Sequence, residues 1–402
     1  LLLTVPSQAE KNRTAPGRWR AFPQGFRWGV ATAAHQVEGD NLNSDWWWWE
    51  QLPGTVARGE KSGKTCDHWN RVDEDIRLMI SLSVTGYRMS VEWAKVEPAP
   101  GRWDEAALSH YRDEILALER AGITPLVTLH HFTFPRWVAE RGGWEWKDLP
   151  ARFARFAGKV YEAIGPEIRD WVVVNEPLVV LGAQYFEGRF PPGEKRPLAG
   201  LKEPVLGLLR SHAAAVQALR TAAGAAGRTV RVGMAHHLRV FRPNNGLNPL
   251  DILATKYVAQ IWNWAIPRAL ETGRIEMDLP GQFRFNEDIP GLAGTQDFLG
   301  INYYSGDQVH FDLGAMLPKM RPISGAPVSD MGWSIYPKGF HQVLTTAAKL
   351  FPGKPVIITE NGLADREDRQ RAGFLSDHLA WLLRAIREGV PVEGYYHWSL
   401  LD

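Results

Sequence analysis

The stretches WVVVNEP at residues 171–177 and PVIITENG at residues 355–362 decide the fold of this chain. Each is a short apolar run, rich in β-branched residues, that ends on a glutamate, Glu176 in the first and Glu360 in the second. Runs of this kind, closed by turn-forming residues, are typical of parallel strands that are buried on both faces. A carboxylate at the end of a buried strand is costly to desolvate unless it is paired or used. The two stretches therefore predict two strand-end carboxylates that face a common pocket.

Six further strand-like runs lie along the chain, and helical patterns separate most of them. The runs cover residues 26–37, 86–93, 124–131, 230–236, 298–304 and 394–400. Two clear helical patterns, at 104–121 and 368–388, are each followed by a glycine, as helix C-termini commonly are. Strands that alternate with helices in this way predict an α/β fold, a single (β/α)8 TIM barrel. In that fold the active-site residues lie at the C-terminal ends of the strands, and the two glutamates end strands four and seven.

The predicted barrel also sets the expected segment boundaries. Residues 1–21 are expected to form an irregular N-terminal extension and residues 22–402 the barrel, with a long loop at 316–330 over the sixth strand. The sequence stops at Asp402, directly after the eighth strand, so we expect the barrel to lack its last helix. An uncovered apolar strand face tends to be buried against a partner, which makes a homo-oligomer an expectation.

Composition excludes several classes of partner. The 402 residues carry 46 basic and 45 acidic side chains and a formal net charge of +1, so no strong field would attract nucleic acid or an anionic membrane. No apolar run is long enough for a membrane-spanning helix. The single cysteine, Cys66, excludes an internal disulfide framework and fits a reducing compartment, so a cytoplasmic location is predicted. The N-terminus has no methionine, and we interpret it as trimmed.

Paired carboxylates at one pocket are the machinery of glycoside hydrolysis. One must stay ionised as nucleophile, and the other must carry a proton. Arg88, on the second strand, is the candidate to keep Glu360 ionised, and the charge of Glu360 would then raise the pKa of Glu176. A separation of about 5 Å between the two carboxyl groups would imply retention of anomeric configuration. The structural alternative is that Arg88 merely forms a salt bridge with one of them.

Nine motifs in order support a family resemblance. They are FRWGVATAAHQVEG at 26–39, CDHW at 66–69, YRMS at 87–90, TLHH at 128–131, NEP at 175–177, FLGINYY at 298–304, MGW at 331–333, ITENG at 358–362 and HWSLLD at 397–402. With these motifs the chain resembles family 1 glycoside hydrolases, the β-glucosidases and β-galactosidases of clan A, over roughly residues 22–402. The resemblance implies a retaining β-glycosidase, foremost a β-glucosidase with β-galactosidase and β-fucosidase side activity. The implied partners are small β-glycosides or oligosaccharides, and no cofactor is implied.

The resemblance also implies roles for individual residues. Glu176 matches the acid/base and Glu360 matches the nucleophile. The residues that match supports of the nucleophile are Arg88, Asn302 and Tyr304. The residues that match contacts to sugar hydroxyls are Gln36, His131 and Asn175, with Trp398 as the platform beneath the sugar and Trp333 as the wall on the leaving-group side.

Two departures from the family pattern affect the sugar pocket. Phe132 stands where the family usually has a tryptophan, so the pocket wall has a smaller ring without an N–H. The family normally continues past LLD into NFEW, whose glutamate and tryptophan bind the sugar O4 and O6, and the sequence given stops before that segment. We expect the first change to alter the pocket modestly and the second to weaken recognition of the sugar.

Three alternatives fit the sequence less well than a retaining β-glycosidase. A 6-phospho-β-glycosidase would hold phosphate with residues after the eighth strand, whereas residues 398–402 look like the non-phosphorylated branch. A non-catalytic glycan-binding barrel typically lacks one carboxylate, and both are present here. A metal site at His130–His131 or His236–His237 is disfavoured because adjacent residues on a strand point to opposite faces.

Overall fold

Eight parallel strands close into a barrel in the computed structural model, which describes residues 21–281, 283–312, 314–315 and 317–401. The barrel strands are β1 (Arg27–Ala31), β2 (Gly86–Ser90), β3 (Thr124–His130), β4 (Asp170–Asn175), β5 (Arg231–His237), β6 (Phe298–Asn302), β7 (Val356–Asn361) and β8 (Val392–Trp398). Each strand pairs with the next one along the chain, and β8 pairs with β1. The predicted (β/α)8 TIM barrel is therefore confirmed.

Helices connect consecutive strands around the outside of the barrel. The longer ones are α1 (His68–Ser81), α2 (Glu105–Arg120), α3 (Leu149–Ile164), α4 (Lys202–Ala225), α5 (Pro249–Ala259), α6 (Ala265–Thr272), α7 (Pro337–Leu350) and α8 (Arg371–Arg387). Short α-helices are Ala34–Val37, Asp45–Glu50, Trp93–Val96, Arg136–Ala139 and Pro177–Leu181. Short 3₁₀ segments are Ala57–Gly59, Gly143–Glu145, Gly165–Glu167 and Leu198–Leu201, and π turns are Gly182–Phe186 and Gln260–Trp264. Across the described residues, no helix is both long and apolar enough to cross a membrane.

Helix α2 shows how local chemistry sets an element. Asp104 caps it by accepting a hydrogen bond from the backbone N–H of Ala107 at 3.0 Å. Its predicted apolar stripe faces inward, with Leu108 and Ile115 among the buried side chains. Gly122, with a φ of 74°, follows the helix in the left-handed conformation that glycine adopts without strain. The observed helix is thus shorter than the predicted one at 104–121 by one residue at each end.

Two predictions of local structure were wrong. The strand predicted at 26–37 ends at Ala31, because Ser90 captures the N–H of Ala34 and residues 34–37 turn into a short helix. A short buried helix and a buried strand have similar apolar patterns, so the sequence does not separate them. The loop predicted at 316–330 contains a strand at Lys319–Pro322, which pairs with Gly306–His310 beside Val240–Pro243. Met316 lies outside the described residues.

A polar ring closes the N-terminal end of the barrel. Asp170, at the start of β4, contacts Arg27 of β1 at 2.6 Å and Arg231 of β5 at 2.7 Å. Arg231 also contacts Glu393 of β8 at 2.7 Å. Above this ring the barrel is filled by apolar side chains, including Leu126, Val172, Phe298, Ile357 and Tyr396. A ribbon formed by Arg274–Leu279 and Phe283–Asp288 lies outside the barrel. The N-terminal end is therefore sealed, and the opposite end carries the site.

Candidate active site

Glu176 and Glu360 lie at the C-terminal end of the barrel, on β4 and β7. Glu176 follows β4 directly with a φ of 47°, a left-handed conformation that costs a non-glycine residue about 1–2 kcal/mol. Its N–H donates to the carbonyl of Ala235 on β5 at 2.7 Å, and its carbonyl accepts from Val180, which hold it in place. Glu360 lies inside β7, which extends two residues beyond the predicted end. The two residues are 7% and 3% exposed.

Strand β7 is bulged at the position of Glu360. Its pairing with β6 shifts between Ile358 and Glu360, so that Thr359 and Glu360 together lie opposite Asn302. A bulge re-aims side chains and breaks the alternation of faces. Both Thr359 and Glu360 consequently reach groups inside the barrel, although they are adjacent on a strand.

Arg88 links the ends of several strands. It is fully buried on β2, and its Nη1 donates to Glu360 Oε1 at 2.5 Å. Its Nη2 donates to Asn175 Oδ1 at 2.7 Å, and its Nε donates to the hydroxyl of Thr128 at 3.2 Å. Nη1 also donates to the carbonyl of Thr359 at 3.1 Å. The guanidinium is therefore held by strands β3, β4 and β7 and has little freedom to move.

Asn302 and Tyr304 contact the two carboxyl groups separately. Asn302 Nδ2 donates to Glu176 Oε1 at 2.8 Å and to Asn175 Oδ1 at 3.1 Å. The hydroxyl of Tyr304 donates to Glu360 Oε2 at 2.5 Å. Each oxygen of Glu360 thus accepts from a different donor, Arg88 on one side and Tyr304 on the other. Hydrogen bonds to the charged form favour an ionised carboxylate.

The electrostatics separate the two carboxyl groups. Burial raises the pKa of Glu176 to about 8, and the charge of Glu360 adds to the rise. The hydrogen bond from Asn302 and the charge of Arg88 act in the opposite direction without offsetting it. Burial, followed by the charge of Glu360, also raises the pKa of Tyr304 well above its usual range, so its hydroxyl remains a donor. Glu176 therefore carries a proton at neutral pH.

A polar wall lies beside the carboxyl pair. Asn175 Nδ2 contacts His131 Nε2 at 3.2 Å, and since the amide nitrogen can only donate, Nε2 must accept. Burial lowers the pKa of His131, and Arg88 lowers it further, so the ring is neutral with its proton on Nδ1. Nδ1 is buried and has no hydrogen-bond partner within the described part of the chain. His131 stacks on Trp398 of β8 with ring centroids 5.5 Å apart.

The remaining two predicted residues lie further from this network. Gln36 is exposed on the short helix after β1, and no hydrogen bond joins its side chain to the network in the described residues. Trp333 is 37% exposed in the loop after β6, with its ring 5.8 Å from that of Tyr304 and 6.3 Å from that of His237. The structure thus joins nine of the ten candidates through hydrogen bonds or ring contacts, with Trp333 at the rim, and leaves Gln36 outside that network.

Several residues in the site were missed by the sequence argument. Thr128 and Thr359 belong to the TLHH and ITENG motifs, but a threonine at the end of a strand does not by itself indicate a functional role. The carbonyl of Phe132 accepts from the indole of Trp46 at 3.1 Å, so the first of the four consecutive tryptophans at residues 46–49 holds the backbone next to His131. A Cβ on Gly362 would lie 1.8 Å from the carbonyl oxygen of Trp398, which explains the glycine of ITENG. Within the described residues, no group of three or more His, Cys, Asp or Glu could hold a metal ion.

Comparison with known proteins places the chain in a family. The sequence model of the family described as "Glycosyl hydrolase family 1" matches residues 19–402. The chain belongs to glycosyl hydrolase family 1. The resemblance carried by the nine motifs is thereby confirmed, and this family 1 protein is a β-glycosidase.

Individual relatives agree with this assignment. The family 1 chain is 32% identical to beta-glucosidase A of Thermotoga maritima over 409 residues, which cover 95% of this chain and 90% of the relative. It is 31% identical to a 1,4-beta-D-glucan glucohydrolase of Thermotoga neapolitana over 406 residues, which cover 95% and 94%. A solved Thermotoga maritima family 1 glycoside hydrolase, complexed with a cyclophellitol analogue transition state mimic, superposes with a TM-score of 0.87 at 32% identity. That superposition covers 95% of this chain and 89% of the solved one.

Proposed function

We propose that this family 1 glycosidase is a retaining β-glucosidase with side activity towards β-galactosides and β-fucosides. The observation that carries the proposal is that the surroundings of the two carboxyl groups favour opposite protonation states. Arg88 and Tyr304 donate to Glu360, whereas burial and the charge of Glu360 keep Glu176 protonated. A nucleophile and a general acid require these two states. The proposed catalytic unit is residues 22–402.

In the first step, Glu360 attacks the anomeric carbon while Glu176 gives its proton to the glycosidic oxygen. A bond forms between Glu360 and the anomeric carbon, the glycosidic bond breaks, and the leaving group departs as a neutral alcohol. The charge of Glu360 disappears in this step, and with it one cause of the raised pKa of Glu176. Glu176 is then ionised and accepts a proton from water, whose oxygen displaces Glu360. Two inversions give net retention.

The polar wall supports a role in holding the sugar. His131 Nδ1 is a buried donor without a partner among the described residues, and a sugar hydroxyl is a suitable acceptor. Trp398 presents an aromatic face beside it, and apolar sugar C–H faces pack on such rings. We assign the sugar contacts to His131, Asn175, Gln36 and Trp398, and the leaving-group wall to Trp333. Glucose as the preferred sugar is suggested by the relatives, which are named for β-glucosidase and glucohydrolase activity.

The proposal predicts different losses at the two glutamates. Replacing the nucleophile in Glu360→Ala should reduce hydrolysis of 4-nitrophenyl β-glucoside roughly 10⁴-fold or more. Glu176→Ala should cost about 10²- to 10⁴-fold, and added azide should restore turnover as β-glucosyl azide because a small anion needs no general base. Initial rates and mass spectrometry of the products measure both effects.

A matched control and three outcomes test the proposal. Glu140→Ala removes an exposed glutamate that pairs with Arg136 at the surface, and it should leave the rate unchanged. NMR of the first product should show the β-anomer, and an α-anomer would contradict retention. Preference for β-glucoside 6-phosphate over β-glucoside, or no hydrolysis of either by the unmodified protein, would contradict the proposed β-glucosidase.

A further inference from the structure

Thr359 connects the surroundings of the two catalytic carboxyl groups. Its side chain is fully buried, and the bulge in β7 turns it into the barrel although Glu360 follows it directly. Its hydroxyl donates to Asn302 Oδ1 at 2.6 Å. Its carbonyl accepts from Arg88 Nη1 at 3.1 Å. One residue therefore contacts both the amide that reaches Glu176 and the guanidinium that reaches Glu360.

The amide of Asn302 is held from three directions. Its Nδ2 donates to Asn175 Oδ1, and that oxygen is fixed as an acceptor because Arg88 also donates to it at 2.7 Å. The other N–H of Asn302 donates to Glu176 Oε1 at 2.8 Å. On the opposite side, Thr359 is the donor that the structure gives to Asn302 Oδ1. The two ends of the amide thus have complementary partners, and the amide is fixed in one orientation.

This orientation determines where Glu176 holds its proton. Because Oε1 accepts an N–H from Asn302, the proton of the neutral acid resides on Oε2. If the hydroxyl of Thr359 were removed, Asn302 Oδ1 would be a buried acceptor without a donor, which is unfavourable. Rotation of the Asn302 side chain would relieve that cost and would break its bond to Glu176.

We infer that Thr359 is a positioning residue for proton transfer, which acts through Asn302 to direct the proton of Glu176 onto Oε2. The inference rests on the proposed role of Glu176 as acid/base. The hydroxyl of Thr359 bonds Asn302, which in turn bonds Glu176, so its effect on the proton is transmitted through a single hydrogen bond to Asn302.

The pH dependence of a variant separates this role from simple packing. The charged or titratable groups that act on Glu176 or bond its neighbours are Glu360, Arg88, Tyr304 and His131, and a change at Thr359 alters none of their charges. The bond from Asn302 favours the ionised form of Glu176, so its loss raises the pKa of that group. The alkaline limb of kcat/KM should therefore move to higher pH.

The test compares Thr359→Val with Thr359→Ser on two substrates. Phenyl β-glucoside has a poor leaving group that needs the proton, whereas 2,4-dinitrophenyl β-glucoside has one that does not. Thr359→Val should lose about tenfold in kcat/KM on the first and less than about threefold on the second, the size expected for one hydrogen bond. Thr359→Ser keeps the hydroxyl and should restore both the rate and the pH profile. Thr345→Val removes a hydroxyl that donates to the backbone carbonyls of His341 and Gln342 in α7 and serves as the matched control.

Inactivation by 2,4-dinitrophenyl 2-deoxy-2-fluoro-β-glucoside, followed by intact mass, isolates the nucleophile. Its rate in Thr359→Val should stay within about threefold of the unmodified protein, because no proton is required. Equal losses on both substrates with an unmoved alkaline limb, or inactivation slowed about tenfold, would overturn the inference. If Thr359→Val does not fold by circular dichroism, Thr359→Ala, which adds no methyl group, is measured by the same criteria. An unmodified protein inactive on both glucosides would refute the proposed function itself.

Discussion

At the scale of single residues, the raised pKa of Glu176 predicts how activity depends on pH. Burial and the charge of Glu360 raise its pKa to about 8, so the acid is present below that pH and is lost above it. We therefore expect kcat/KM for 4-nitrophenyl β-glucoside to fall as pH rises through about 8. In Glu360→Gln the neighbouring charge is gone, and the pKa of Glu176, measured by ¹³C NMR of labelled glutamate, should move down. An unchanged pKa in that variant would show that burial alone controls Glu176.

Single residues also show what the sequence could reveal. The roles of Glu176, Glu360 and Arg88 could be predicted from the sequence. A charge within or at the end of a buried strand conflicts with its surroundings and requires a partner. The role of Thr359 could not be predicted in this way, since strand alternation predicts that the neighbours of Glu360 face away from the carboxyl pair. The bulge in β7 overrides that rule. The exposure of Gln36 was equally hidden, because the helix that carries it reads as a continuation of β1.

At the scale of elements, the ends of β7 and β8 approach more closely than side chains allow. Gly362 follows β7, and a Cβ there would lie 1.8 Å from the carbonyl oxygen of Trp398 at the end of β8. The glycine therefore leaves room for the backbone of Trp398, whose ring stacks on His131. The order of the elements was predictable from apolar patterns. This contact was not, because it joins residues distant in sequence and the glycine is its single sign in the sequence.

The prediction that follows is a loss of sugar binding in Gly362→Ala. The added methyl group must push the two strand ends apart, an overpacking that typically costs about 1–3 kcal/mol. We expect a lower melting temperature and a higher KM for 4-nitrophenyl β-glucoside, measured by calorimetry and steady-state rates. Gly158→Ala in α3 is the matched control, because a Cβ there meets nothing within 4 Å and alanine favours a helix. Equal behaviour of the two variants would refute the role of the close approach.

At the scale of the whole molecule, stability and chemistry lie at opposite ends of the barrel. The carboxyl pair lies at the C-terminal end, where βα loops supply the site. The ring of Arg27, Asp170, Arg231 and Glu393 closes the N-terminal end by joining β1, β4, β5 and β8. The fold class was predictable from the alternation of strands and helices. The ring was not, because its members are the first or second residues of four different strands and only barrel closure brings them together.

This separation predicts that Asp170→Asn weakens the fold without changing the chemistry. Burial would raise the pKa of Asp170, but Arg231 and Arg27 more than offset it and hold the pKa below its usual range. The stabilisation is therefore present above about pH 4, near the unfolded value, and is lost as the pH falls through the lower folded value.

At pH 7 the variant should lose about 3 kcal/mol in urea unfolding, as expected when one partner of a buried ion pair is removed. Its kcat per folded molecule should stay unchanged, since the carboxylate of Asp170 bonds Arg27 and Arg231 at the end of the barrel opposite the site. The exposed pair of Arg136 and Glu140 is the control, and Glu140→Gln should cost less than about 1 kcal/mol. Equal stability of Asp170→Asn and the unmodified protein at pH 7 would contradict the ring as a clamp, because the neutral amide cannot hold two arginines that a buried carboxylate holds by charge.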